Sequence, residues 1–524
     1  MKRRSFLQSS ALVLGAVALP APVAPPLPRG VRRWLEPDDR ELADVALNAA
    51  RRAGASYADI RISRHFDQSI RTRERRVEGM NDEITYGYGV RVLADGVWGF
   101  AASRIVAPDE VARVARAAVE QAKVNARIPH TPVELAAVAS FPDAEWTTPH
   151  EKDPFELTVG EKVEFLLGIN AAALDQGADF ASSSIVFQKQ ERYFASTEGS
   201  YIRQTFLRVF VPWDVTAVDR QAGRFATWDD IQTAAGAGWE FVLAQDFPGR
   251  AARAAELARE KLATPTLDAP TKKDLVILPN HLWLTIHESV GHPTELDRAV
   301  GYEANYAGTS FCTPDKLNQL QYASEIVSFE AEKQEPHGLA SVGWDDEGVP
   351  ADRWHLVRDG VFVDYQTTRD QVHQITDQTG VTRSHGCSYG QNWSLVQFQR
   401  MPNVNLVPDP AGGSLESLIG GVDDGLLIDT RGSYSIDQQR YNFQFAGQGT
   451  WEIKRGKLGR MLRDVAYQGN TVEFWNSCDG LGGPETYEVY GTYYDGKGQP
   501  GQVNAVSHGC PPARFRQVNV LPAG

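Results

Sequence analysis

Cysteine is scarce in this chain: four residues, Cys312, Cys387, Cys478 and Cys510, in 524. That is too few for a disulfide framework. One or two bridges stay open for an exported protein, among three pairings if all four join. An excess of positive charge is also lacking, since 53 Lys and Arg face 67 Asp and Glu for a formal charge of −14. Such a surface repels phosphate backbones, which argues against nucleic acid or an anionic membrane as partner and leaves peptides and small molecules. Beyond the N-terminal segment there is no membrane-length apolar run, no long heptad tract and no fixed-period repeat. The tetrapeptide SHGC occurs at 384–387 and 507–510, but two copies do not make a repeat. What the chain does have is 42% hydrophobic and 10% aromatic residues, enough for a large core and two or more domains.

The N-terminus carries Lys2-Arg3-Arg4-Ser5-Phe6-Leu7, then an apolar run from Ala11 to Leu19 too short to span a bilayer, then a Pro- and Ala-rich stretch. This order reads as a secretory signal over residues 1–30, with Ala16-Val17-Ala18 as one cleavage site and a twin-arginine character. The expectation is an exported, periplasmic protein with no membrane span once the signal is removed.

The pattern predicts an α+β fold. Residues 36–263 read as an N-terminal α+β domain: a helix over 38–53 stopped by Gly54, strands from 57, a hairpin at Ala94-Asp95-Gly96, and helices near 109–124, 159–174 and 251–262. A Thr- and Pro-bearing stretch at 263–270 marks the boundary. Residues 271–524 read as a largely β C-terminal domain whose first strand, 274–278, leads into one helix. Turns at 345–348, 358–360 and 455–457 sit between β-type runs.

That helix carries HESVGHPTELD, residues 287–297. The familiar zinc-protease motif spaces two histidines four apart with a glutamate beside the first as general base. Here His287 and His292 are five apart, which on an unbroken α-helix turns the second ring about 140° from the first. Asn280 reads as the N-cap. Gly291 and Pro293 predict that the helix ends near Val290–Gly291, so that His292 lies past its C-terminus and can swing back toward the same ion. Glu288 is placed to act as base, and Glu295 and Asp297 are either further ligands or acceptors that orient the imidazoles.

His287, Glu288, His292, Glu295 and Asp297 fill H-E-x-x-x-H-x-x-E-x-D, and on these residues the chain resembles the TldD/PmbA family. Gly54-Ala55-Ser56-Tyr57-Ala58-Asp59, the hairpin Gly89-Val90-Arg91-Val92 to Trp98-Gly99-Phe100, Arg400-Met401-Pro402-Asn403 and Gly496-Lys497-Gly498-Gln499 are similar to its other landmarks. The resemblance implies a zinc-dependent metallopeptidase acting on unstructured peptides, as a homo- or hetero-dimer with a family homologue. Members usually take their third zinc ligand from a cysteine just before G-K-x-G-Q, where this chain has Asp495. The expected ligand set is therefore His287, His292 and Asp495, with Cys478, His508 and Cys510 as alternatives to Asp495. Substrate could be held by strand addition at a sheet edge. The aromatic stretch 487–494 is either strand core or the lining of such a cleft. The rival expectation is a non-catalytic peptide-binding or scaffold subunit.

Overall fold

Strand-forming and helix-forming segments alternate early in the chain and give a mixed sheet with helices on it, as the computed structural model shows for residues 38–523. The signal expected at 1–30 lies outside the described residues. The helix Asp39–Ala53 buries Leu42, Ala43, Ala46, Leu47 and Ala50 on one face and stops at Gly54, whose φ of +101° a side chain would resist. A long antiparallel hairpin follows, Tyr57–Arg73 against Arg76–Ala94. Asp95 and Gly96, both at positive φ, then turn the chain into Val97–Ser103, as the Asp-Gly pair predicts. Gly99 is required by contact, because a Cβ there would lie 2.1 Å from the Ala118 carbonyl of the helix Pro108–Asn125.

Phe180–Ser196 and Tyr201–Phe210 extend this sheet, and Ala144–Thr147, Trp213–Asp219, Arg224–Asp230 and Ala234–Ala235 bring it to nine strands. The helices Val159–Asp175 and Phe247–Ala263 cover it through Leu166, Ile169, Ala251 and Ala255. Thr158 and Glu161 form a reciprocal capping box at the start of the first of these helices.

Beyond residue 270 the architecture is β-rich. Thr271–Ile277, Asp424–Ile436, Asn442–Lys454, Val465–Asn470 and Ala513–Pro522 pair in sequence, and the last pairs back with the first, so five strands close into a ring. Closure removes the exposed edges that an open sheet would leave. Glu488–Lys497 and Gln502–Cys510 form a separate two-stranded ribbon. The four cysteines are all buried and unpaired, so the bridges left open by the sequence are not formed.

The turn at 345–348 is more than a connection. Asp346 is fully buried and takes Arg61 (3.1 Å) and Arg192, while Glu347 takes Arg91 at 3.0 Å. All three arginines come from the nine-stranded sheet, so the acidic turn plugs the β-rich half onto it.

Candidate metal centre

The metal-site helix, Pro279–Ile286, begins two residues earlier than its sequence suggests. Leu278 is the N-cap, and Pro279, whose fixed φ suits the first turn, follows it. Asn280 is not the cap. Its side chain accepts from Thr430 N (3.1 Å) and donates to Asp429 (2.6 Å), fastening the helix to the closed ring of strands.

The helix does not break before His292, contrary to the reading of Gly291 and Pro293. Residues His287–Gly291 instead form a π-turn, and the His292 N–H donates to the His287 carbonyl, five residues back. His292 keeps α-type angles (φ −64°, ψ −43°). The widened turn brings residues five apart onto one side, which an α-helix would not. Gly291 serves close packing rather than a bend: its φ is −57°, and a Cβ there would sit 2.5 Å from the Met401 sulfur. Carbonyls freed by the irregular turn are taken up by side chains. Tyr322 Oη reaches Ser289 O, Thr294 Oγ1 reaches Val290 O (2.8 Å), and Gln366 Nε2 reaches Gly291 O (2.6 Å).

The two imidazoles lie 4.6 Å apart at 76°. Both aim Nε2 at Asp495 Oδ1, at 3.5 Å from His287 and 3.7 Å from His292. Asp495 sits on the ribbon, and a β-bulge decides where it points. Tyr493 and Tyr494 together oppose Ala505, between the pairs Thr492↔Val506 and Asp495↔Asn504. The extra residue shifts the alternation, so Asp495 shares a face with Lys497, Asn504 and His508 while Tyr493 and Tyr494 face away.

Neighbouring groups prepare these donors. His508 Nδ1–H donates to Val404 O (2.8 Å), which leaves its Nε2 to accept from His287 Nδ1–H at 2.9 Å and so frees His287 Nε2 as a lone pair. His292 Nδ1–H donates to Glu295 at 2.9 Å and frees its own Nε2 in the same way. Burial pushes the His292 pKa down to about 4, so this ring is neutral at pH 7. Burial opposes charge on His287 as well, but the Asp495 carboxylate outweighs it and raises that pKa. For Asp495, burial favours the neutral acid. Arg400, 2.7 Å from Oδ2, and the two histidines overcome this and hold its pKa well below the usual range.

The three donor atoms lie within 4.8 Å of one another. Tetrahedral zinc, with bonds of about 2.0–2.2 Å, separates neighbouring donors by about 3.4 Å. Two neutral-capable imidazoles with hydrogen-bonded far nitrogens and one ionised carboxylate therefore fit such a cation in both spacing and chemistry.

Glu295 and Asp297 turn away from this point, toward Lys497 Nζ at 3.0 and 2.8 Å. Cys478 and Cys510 lie outside the donor cluster. Their sulfurs approach the carbonyls of Gly480 and Pro279, and burial raises both thiol pKa values, to about 12 for Cys478. Glu288 is buried beside His287 and paired with Arg440. Arg440 was not legible in the sequence. It sits at φ +64° in a turn that the Asp437 carboxylate holds by accepting from Tyr441 N and Asn442 N at 2.9 and 3.0 Å. Arg400, Lys497 and His508 complete the surroundings.

A metalloprotease of Methanothermobacter thermautotrophicus is 26% identical over 88% of this chain and 95% of its own length. A zinc metalloprotease TldD homolog of Saccharolobus solfataricus is 22% identical over 90% and 98%. The crystal structure of TldE from Thermococcus kodakarensis superposes with a TM-score of 0.70 at 17% identity, covering 92% of this chain and all of that one. Profiles of PmbA/TldA metallopeptidase domain 1, central domain and C-terminal domain match residues 58–122, 152–262 and 271–521. The chain therefore belongs to the PmbA/TldA metallopeptidase family.

Proposed function

We propose that the protein is a zinc-dependent peptidase acting on unstructured peptides. The observation that carries this reading is the convergence of His287 Nε2 and His292 Nε2 on Asp495 Oδ1, with Glu288 beside the first histidine. When bound, zinc supplies Lewis acidity, polarising a peptide carbonyl and making water in the site more acidic. His287, His292 and Asp495 hold it. Glu288 accepts the proton of the attacking water and passes it to the leaving amine. Arg440 pairs with Glu288 and aims it, while His508 and Glu295 fix the two imidazole tautomers.

The relative named a zinc metalloprotease supports the choice of metal, and the fold shared with TldE supports pairing with a family homologue or a second copy. The Arg3-Arg4-Ser5-Phe6-Leu7 leader supports work in the periplasm, which cell fractionation tests.

The deciding experiment combines elemental analysis with turnover of unstructured peptides, with and without chelator. About one zinc per chain and chelator-sensitive cleavage are expected. Glu288→Gln should keep the zinc and lose turnover. A fully active Glu288→Gln variant would overturn the mechanism, and folded protein without zinc would favour the scaffold reading.

A further inference from the structure

On the face of the ribbon opposite the metal centre lies a cleft of about 710 Å³, between the ribbon and the nine-stranded sheet. Pockets for organic ligands span roughly 300–1,000 Å³. Its floor is one face of the paired strands, with Asp67 opposite Glu83 and Ser69 opposite Asn81. The charges balance: Arg71 and Arg208 face Asp67 and Glu83. Two of the four are already engaged, since Gln188 donates to Asp67 (2.9 Å) and accepts from Arg208 (3.0 Å), which also donates to Leu339 O. The cleft thus favours neither an anion nor a cation.

Its apolar wall is specific. Tyr493 stacks on Phe210 at 5.3 Å and 11°, and Tyr494 sets its ring at 69° to Tyr493 and 74° to Phe210. Although held by two edge contacts, Tyr494 keeps 58% of its surface exposed. A fixed, half-open aromatic ring is a stacking platform that costs little ordering when a ligand arrives. The bulge that turns Asp495 toward the histidines is the one that turns Tyr494 into the cleft. The two residues are neighbours in the chain, and their side chains leave opposite faces of the ribbon.

We propose that this cleft is a specificity site for an extended peptide, holding an aromatic side chain stacked on Tyr494. This inference rests on the peptidase reading, so its test reads binding apart from turnover. The probes are two fluorescently labelled ten-residue peptides, uncharged and identical except that one central Phe is replaced by Ala, titrated by anisotropy into Glu288→Gln protein and followed for cleavage with wild type.

The Phe peptide is expected to bind about twofold to tenfold tighter, the span one aromatic pair commands. Adding Tyr494→Ala should erase the difference, and adding Tyr494→Phe should keep it. Phe210→Ala, which removes support from Tyr494 without adjoining Asp495, should weaken it. Equal binding of the two peptides, or a preference that survives Tyr494→Ala, overturns the proposal whether or not peptides are cleaved. A Tyr494-dependent preference with no cleavage by wild type upholds the cleft and removes the hydrolytic reading instead.

Discussion

His508 stands one hydrogen bond behind His287, its Nε2 2.9 Å from Nδ1, and is itself anchored through Nδ1 to the Val404 carbonyl. Burial holds the His508 pKa well below its ordinary value, so the ring stays neutral and accepts. It therefore sets which nitrogen of His287 is free for a cation. Replacing it with Phe should lower zinc affinity about 10-fold to 100-fold, measured by competition with a chromophoric chelator, while the circular dichroism stays native.

Arg440 pairs with Glu288 across 152 residues of sequence. Arg440→Ala would leave a buried carboxylate without its partner and without a fixed direction. Turnover should fall by about 10-fold to 100-fold, part of what a positioned base contributes. Zinc content by elemental analysis should be unchanged, and Arg440→Lys should recover part of the lost rate.

Asp346 is buried between Arg61 and Arg192. Asp346→Ala strands two guanidinium groups away from water, so the variant should be about 3–5 kcal/mol less stable in urea unfolding. Loss of activity should follow loss of fold, with zinc binding normal wherever the protein remains native.

His385 lies between two carboxylates, Asp352 at 2.7 Å and Asp364 at 3.1 Å, and stacks on Trp354 at 4.2 Å. Burial opposes its protonation, but the two acids outweigh burial and raise its pKa. A folded pKa above the unfolded value of about 6.5 means that the proton-linked stability is fully present below about pH 6.5. It is lost as pH rises through the raised value. The stability difference between wild type and His385→Gln should therefore be larger at pH 6 than at pH 9, as read from denaturant midpoints.

Much of the scaffold was legible because its signals are local. Apolar spacing marked the helix Asp39–Ala53, and the Asp95-Gly96 pair announced a tight hairpin through its positive φ angles. The motif's residue types were equally plain. The path of the chain through them was not, because Pro293 and Gly291 carry a strong local preference for ending a helix. Tertiary contacts to Met401, Tyr322, Thr294 and Gln366 override that preference by packing the turn and satisfying its carbonyls.

By itself the sequence determined which donor groups the chain can offer a metal ion, because imidazole, carboxylate and their spacing along eleven residues are properties of the covalent chain. Only the tertiary structure decided which atoms meet. His508 lies 221 residues from His287, and Arg440 lies 152 from Glu288. Asp495 reaches the histidines because one extra residue in a ribbon reverses the side its carboxylate faces. Such placements depend on register and on packing between distant strands, and no local propensity encodes either.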